Sequence, residues 1–165
     1  MTTTVGSVAE LEALVGKHLG YSEWREVTQQ RINTFADATD DHQWIHVDAE
    51  RAAAGPFGTT IAHGFLTASV ISAAVANHLP GPGTIYLSQL LNFRAPVRIG
   101  ETVHACVSVK SVDPIRRRVT LETTCTVGET VVIDGEALVM TTSSAKRPAL
   151  VAAVQPHRNL APIVI

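Results

Sequence analysis

The stretch that most constrains this chain is GFLTASVISAAVANHL, from Gly64 to about His78. It has apolar residues on nearly every helical face and small residues between them. A surface helix keeps one polar side, whereas a helix that is apolar all round belongs inside a molecule. The reading predicts a helix over residues 64–78 that the rest of the chain must enclose. The sequence that follows is suited to the task. Residues 84–93, 101–112, 117–127 and 130–142 are long, β-branched and partly alternating, punctuated by Pro96 with Gly100, Asp113-Pro114 and Gly128. Four such strands in succession imply an antiparallel meander. A buried helix feeding long strands gives an α+β fold, an antiparallel sheet wrapped around a central buried helix.

The first half carries shorter signals. Ser7-Val8-Ala9-Glu10 matches a capping box, and Leu11, Leu14 and Val15 continue at helical spacing, predicting a short helix that ends near residues 16–20. Residues 22–28 read as a strand. Residues 29–38 read as a helix with Ile32, Phe35 and Ala36 on one face. Residues 50–54 add a helical turn that Gly55-Pro56 and Gly58 stop. The 165 residues suffice for one domain with a real core and not comfortably for two. The expectation is a single domain over 1–165, with its core at about 20–142 and a proline-containing tail of no clear period at about 143–165.

A net charge of −2 argues against a nucleic-acid partner. The N-terminus lacks the basic start and unbroken apolar core of a signal peptide, and no apolar run reaches the ~18–20 residues that span a bilayer. A cytoplasmic protein without a membrane anchor is expected. Cys106 and Cys125 show no metal-ligand spacing, and each sits in an alternating apolar stretch, so both read as small reduced core residues.

Chemistry concentrates in Thr39-Asp40-Asp41-His42-Gln43-Trp44-Ile45-His46 and in Ala62-His63-Gly64-Phe65. Asp41 stands five positions before His46, with Trp44-Ile45 between them to anchor the segment in the apolar interior. The spacing alone fits equally a capping aspartate and a polar loop histidine. Held beside a partly dry cleft, the same two groups can share a water and move protons at neutral pH. Gly64 opens the buried helix, where backbone N–H groups lack intrahelical partners and the dipole favours negative charge. With no side chain it admits a ligand carbonyl, although tight packing alone would also ask for glycine there. His63 reads as a structural or supporting donor. Ser72 lies two helical turns beyond Gly64, where its hydroxyl can simply bond back to the preceding turn. His42, His78, His104 and His157 have no recurring spacing, so no metal site is expected.

Residues 35–72, FADATDDHQWIHVDAERAAAGPFGTTIAHGFLTASVIS, resemble the hydratase motif of the MaoC-like (R)-specific enoyl-CoA hydratases, which have a hotdog fold. The likeness extends through GPGTIYLSQLLNFRAPVRIGETVHACVSV, where Arg94-Ala95-Pro96-Val97-Arg98-Ile99-Gly100-Glu101 follows the family's turn pattern, and it covers roughly residues 20–142. The N-terminal helix is similar to that of the branch with nodulation-protein-N-like members. The resemblance implies that Asp41 and His46 are the catalytic pair, that Gly64 supplies the oxyanion hole and that Ser72 supports the site. Asp40 replaces a glycine of the family pattern, and Gln43-Trp44 replaces Asn-Pro. Gln43 keeps an amide to fix the loop, and Trp44 exchanges rigidity for anchoring area.

The implied reaction is reversible syn hydration of a trans-2-enoyl-CoA to a (3R)-3-hydroxyacyl-CoA, with no cofactor or metal. The resemblance favours Asp41 taking the water's proton and His46 delivering one to the α-carbon, though a coupled pair can share the work. Arg94, Arg98, Lys110, Arg116, Arg117, Arg118 and Lys146 are candidate cations for the CoA phosphates. The resemblance also implies a homodimer. A hotdog acyl-CoA thioesterase and a non-catalytic acyl-CoA-binding or partner subunit are the competing readings.

Overall fold

The computed structural model describes residues 8–77 and 80–141. The chain order is α1 (Val8–Glu12), β1 (His18–Tyr21), β2 (Arg25–Glu26), α2 (Gln29–Thr39), α3 (Trp44–Val47), α4 (Ala49–Ala53), α5 (Gly64–Asn77), β3 (Ile85–Phe93), β4 (Thr102–Asp113), β5 (Arg118–Val127) and β6 (Thr130–Met140). The strands form one six-stranded antiparallel sheet in the order β1-β4-β5-β6-β3, with β2 also paired to β4. The tail beyond residue 141, with Lys146 and His157, lies outside the described residues, as does His78.

β4, β5 and β6 follow one another as a meander, but β3 pairs with β6 at the far edge and not with β4. The cause lies in residues 94–101, which make their backbone bonds elsewhere. The Ala62 N–H donates to Val97, Ile99 donates to Thr60, and Gly100 donates to Val27. Pro96 has no N–H to give a ladder. The connection therefore crosses the head of α5 and delivers β4 beside β2.

Of the expected strand over residues 22–28 only β2 forms, and β1 precedes it, where a helix end was expected. Ser22 splits them. Its N–H donates to Ala105 O, and the Ala105 N–H donates to Ser22 Oγ, both at 2.8 Å, so a side chain replaces a ladder acceptor. Within α2 the Thr28 hydroxyl accepts from the Arg31 N–H at 3.3 Å as N-cap, and Ile32 and Ala36 are the buried face.

α5 packs on the inner face of the sheet. Ile71, Ala74 and Val75 join Val103, Ala105, Val107 and Val109 of β4 and Val119, Leu121 and Cys125 of β5 in the core. Period-two alternation dictates which residues take part. It also separates the two cysteines. Cys125 is buried, its thiol pushed up to about 12 by desolvation. Cys106 lies between Ala105 and Val107 on the opposite face, half-buried with its Sγ 2.8 Å from His18 Nε2, and is not a core residue.

Enclosure of α5 within one chain is half complete. Thr67, Ala68, Ile71, Ala74 and Val75 are buried, whereas Phe65 is 67% exposed, and Leu87, Leu90 and Phe93 of the edge strand β3 are exposed with it. One sheet covers one side of a helix that is apolar all round, and the other side stays open. No helix among the described residues is long and apolar enough to cross a membrane.

Ile71 is 1% exposed against the sheet, while Ile115 at the β4–β5 turn is 94% exposed. Ile71→Ala should cost about 2–5 kcal/mol in chemical denaturation, and Ile115→Ala should stay within about 0.5 kcal/mol. Equal effects would contradict this placement of the core.

Candidate active site

α2 ends at Asp40, whose φ of 58° is left-handed. Glycine is the usual residue there, and aspartate is among the few others that tolerate it. The turn that follows presents Asp41 and enters α3. Gln43 begins α3, but its exposed side chain caps nothing; its N–H donates to Asp41 Oδ1 at 3.4 Å. The expected amide brace at Gln43 is therefore not made. Trp44 is half-buried and turns outward to α4 instead of into the interior. Arg51 lies 4.6 Å over its ring, and a Cβ on Gly55 would meet Trp44 Cζ3 at 3.0 Å.

Another residue does the bracing. Gln29, in the first turn of α2, donates from Nε2 to the His46 carbonyl oxygen at 2.8 Å and accepts from the Thr60 hydroxyl at 2.7 Å. The Ile61 N–H donates to Ile45 O at 3.1 Å, tying residues 60–61 alongside α3. Neither Gln29 nor Ile61 was singled out from the sequence. Gln29 reads as an ordinary polar residue at a helix start, and Ile61 acts through a carbonyl that every residue has.

His46 is 8% exposed, and its Nδ1 lies 2.8 Å from Ile61 O. A carbonyl only accepts, so Nδ1 carries the proton and Nε2 of the neutral ring holds a free lone pair. Burial pushes the imidazole below its ordinary 6.5. The Ile61 bond opposes this, His63 adds to it, and the charge of Asp41 opposes it again.

His63 is 3% exposed and stacks on His46, with ring centroids 3.8 Å apart at 26°. Its Nε2–H donates to the backbone oxygen of Asp41 at 2.9 Å, and its Nδ1 is buried without a partner. One potential ligand atom from each of Asp41, His46 and His63 lies within 4.8 Å of the others. Two imidazoles and a carboxylate at that spacing invite a metal reading. Imidazole lone pairs lie in the ring plane, however, and stacked rings send theirs side by side. A metal centre needs them converging on one point. The arrangement fits a shared water better.

Gly64 is the first residue of α5, and its N–H finds no acceptor among the described residues; the first bond back is from Thr67 N–H to His63 O, 3.2 Å. A Cβ at Gly64 would meet Phe93 Cε1 at 2.7 Å. Gly64 and His46 line one cavity of about 310 Å³ with Phe57, Thr67, Phe93 and Arg94. The structure thus brings Asp41, His46, His63 and Gly64 together. Ser72 lies apart, exposed on a second cavity with Phe35, Tyr86, Gln89 and Phe93. Of the candidate cations among the described residues, Arg94 lines the first cavity, paired with Asp134 at 2.5 Å. Lys110 pairs with Glu136, and Arg116 pairs with Asp113 at the β4–β5 turn.

The family model described as "MaoC like domain" matches residues 10–131. The chain is 52% identical over 115 residues to a 3-hydroxybutyryl-CoA dehydratase of Methylorubrum extorquens, covering 70% of this chain and 73% of the relative. It is 45% identical over 138 residues to the 3-hydroxyacyl-thioester dehydratase Z of Mycobacterium tuberculosis, covering 81% and 89%. Among solved structures, unliganded R-hydratase PhaJ1 of Pseudomonas aeruginosa superposes with a TM-score of 0.78 at 34% identity, over 90% of this chain and 97% of that one. The sheet laid around one helix is the hotdog arrangement of these hydratases. The fold agrees with the sequence matches, and the chain belongs to the MaoC-like family.

Proposed function

We propose that this protein is an (R)-specific enoyl-CoA hydratase, adding water reversibly and syn to a trans-2-enoyl-CoA to give a (3R)-3-hydroxyacyl-CoA. The observation that carries the reading is that His46, its Nε2 bare, shares a cavity wall with Gly64 and lies beside the Asp41 carboxylate, with one ligand atom of His46 and one of Asp41 within 4.8 Å of each other. The names of the relatives support it, since dehydration and hydration are one reaction run in opposite directions.

Asp41 and His46 hold one water over the β-carbon. The Nδ1–H of His46 is committed to Ile61 and its Nε2 is bare, so the resting imidazole accepts before it can give. This geometry supports His46 as the group that takes the water's proton while the oxygen attacks the β-carbon. Asp41 then orients the water and balances the imidazolium, a different division from the one the family resemblance favours. The proton returns from Nε2 to the α-carbon on the same face, which gives syn addition and restores the neutral ring. As the C–O bond forms, charge gathers on the thioester oxygen, and the Gly64 N–H at the helix terminus stabilises it by roughly 3 kcal/mol. The route calls on the chain's own groups and one water.

Arg94, on the cavity wall, is our candidate for the CoA phosphates, its guanidinium dividing its donors between them and Asp134. A second copy of this chain covers the open face of α5 and β3, where Phe65, Leu87, Leu90 and Phe93 are exposed.

Crotonyl-CoA should lose its conjugated ultraviolet absorbance without releasing free thiol; thiol release would instead indicate a thioesterase. Asp41→Asn and His46→Ala should each lower kcat by ~10²–10⁴-fold. Unchanged rates would refute the assignment. His46 works neutral and its folded value lies below 6.5, so kcat/KM should be level above pH 6.5 and fall only on the acid side. The unfolded chain takes the proton first, so the stability gained by burying a neutral His46 should be complete above pH 6.5 and fade as pH drops through the lowered value. In sedimentation the chain should run at about twice its 17.6 kDa mass, and Leu90→Arg should halve that mass.

A further inference from the structure

Asp41 has little local support. It follows the left-handed Asp40, its side chain is exposed, and the one hydrogen bond to its carboxylate among the described residues is the long 3.4 Å bond from the Gln43 N–H. A carboxylate that must share a water with His46 needs its backbone fixed to within a fraction of an ångström. The firm tether comes from 22 residues away, where the His63 Nε2–H donates to the Asp41 carbonyl oxygen at 2.9 Å. The same ring stacks on His46 at 3.8 Å and immediately precedes Gly64. His63 is itself pinned, 3% exposed and 5.0 Å from the Phe35 ring. All three groups assigned to the reaction are therefore referenced to one buried imidazole.

We propose that His63 is a positioning residue for hydration, cross-linking the Asp41 turn to the head of α5 so that the carboxylate, the His46 ring and the Gly64 N–H hold a common register. The inference rests on the hydratase reading. It makes the hydrogen bond the operative contact, because Asp41 lacks another firm anchor among the described residues, whereas His46 is already held by Ile61 and Gln29. His63 acts through Asp41 and touches no reacting atom.

The test uses the full chain and crotonyl-CoA. His63→Gln keeps a donor, His63→Phe keeps a ring, and each is made alone and with Asp41→Asn, with thermal midpoints measured alongside. His63→Met replaces His63→Phe should the latter fail to fold. The variant without a donor should lose ~10–100-fold in kcat with KM within ~3-fold, and His63→Gln should recover most of that loss. In the Asp41→Asn background, removing the donor should cost less than ~3-fold more, since two residues acting as a unit do not add. Full kcat without the donor, a loss in His63→Gln as deep as that in His63→Phe, or losses that multiply with Asp41→Asn would overturn the proposal. A wild type that leaves crotonyl-CoA unhydrated would overturn the hydratase reading and this inference with it. An active wild type with any of the contrary variant patterns would overturn this inference alone.

Discussion

The hydrogen bond from His46 Nδ1–H to the Ile61 carbonyl determines most of what this site can do. It sets the tautomer, leaves Nε2 bare and holds the ring where it is buried. Without that bond nothing would stop the buried ring from turning over and presenting either nitrogen to the cavity. The carbonyl is available because residues 60–61 run extended beside α3, and they do so because the crossover at residues 94–101 pairs with them. The protonation state of one nitrogen thus depends on how the sheet is connected.

The same dependence explains what the sequence could and could not disclose. β4, β5 and β6 were legible because alternation and turn residues are local, and α5 was legible because its composition fits few other structures. Asp41, His46 and Gly64 were legible as a constellation through the resemblance; the structure sets Asp41 beside His46 and puts His46 and Gly64 on one cavity. Placement of β3 was not legible. It depends on where residues 94–101 find acceptors, and those acceptors are backbone atoms distant in sequence. Gln29 escaped notice for a similar reason, since its partners lie 17 and 31 residues away. Ser72, which the resemblance sets in support of the site, stands on α5 at the wall of a different cavity.

Two departures from the family pattern become intelligible on physical grounds. Asp40 occupies a left-handed position where the family has glycine, so it takes on backbone strain that a short polar side chain tolerates. Trp44 stands in for a proline. A proline would fix the entry to α3 through its ring, whereas Trp44 fixes the exit by packing against Arg51 of α4 and Gly55 just beyond it. The α3–α4 corner is stiffened from its far side. The turn before it, which carries Asp41, is correspondingly more reliant on the His63 bond.

Phe93 connects the site to the unfinished side of the molecule. It is the last residue of β3, lies against Gly64, and lines both the cavity with His46 and the one with Ser72. Its own ring is half exposed, beside the open face of α5. Any surface that covers this face therefore also sets how closely the ring lies over the Gly64 N–H. A helix apolar on all sides can be satisfied by one sheet on one side and a second copy on the other. That solution places the Gly64 N–H at the border between them. The composition of α5 accordingly serves two ends: it forms the core of the fold, and it leaves the head of the helix open to the cavity that His46 lines.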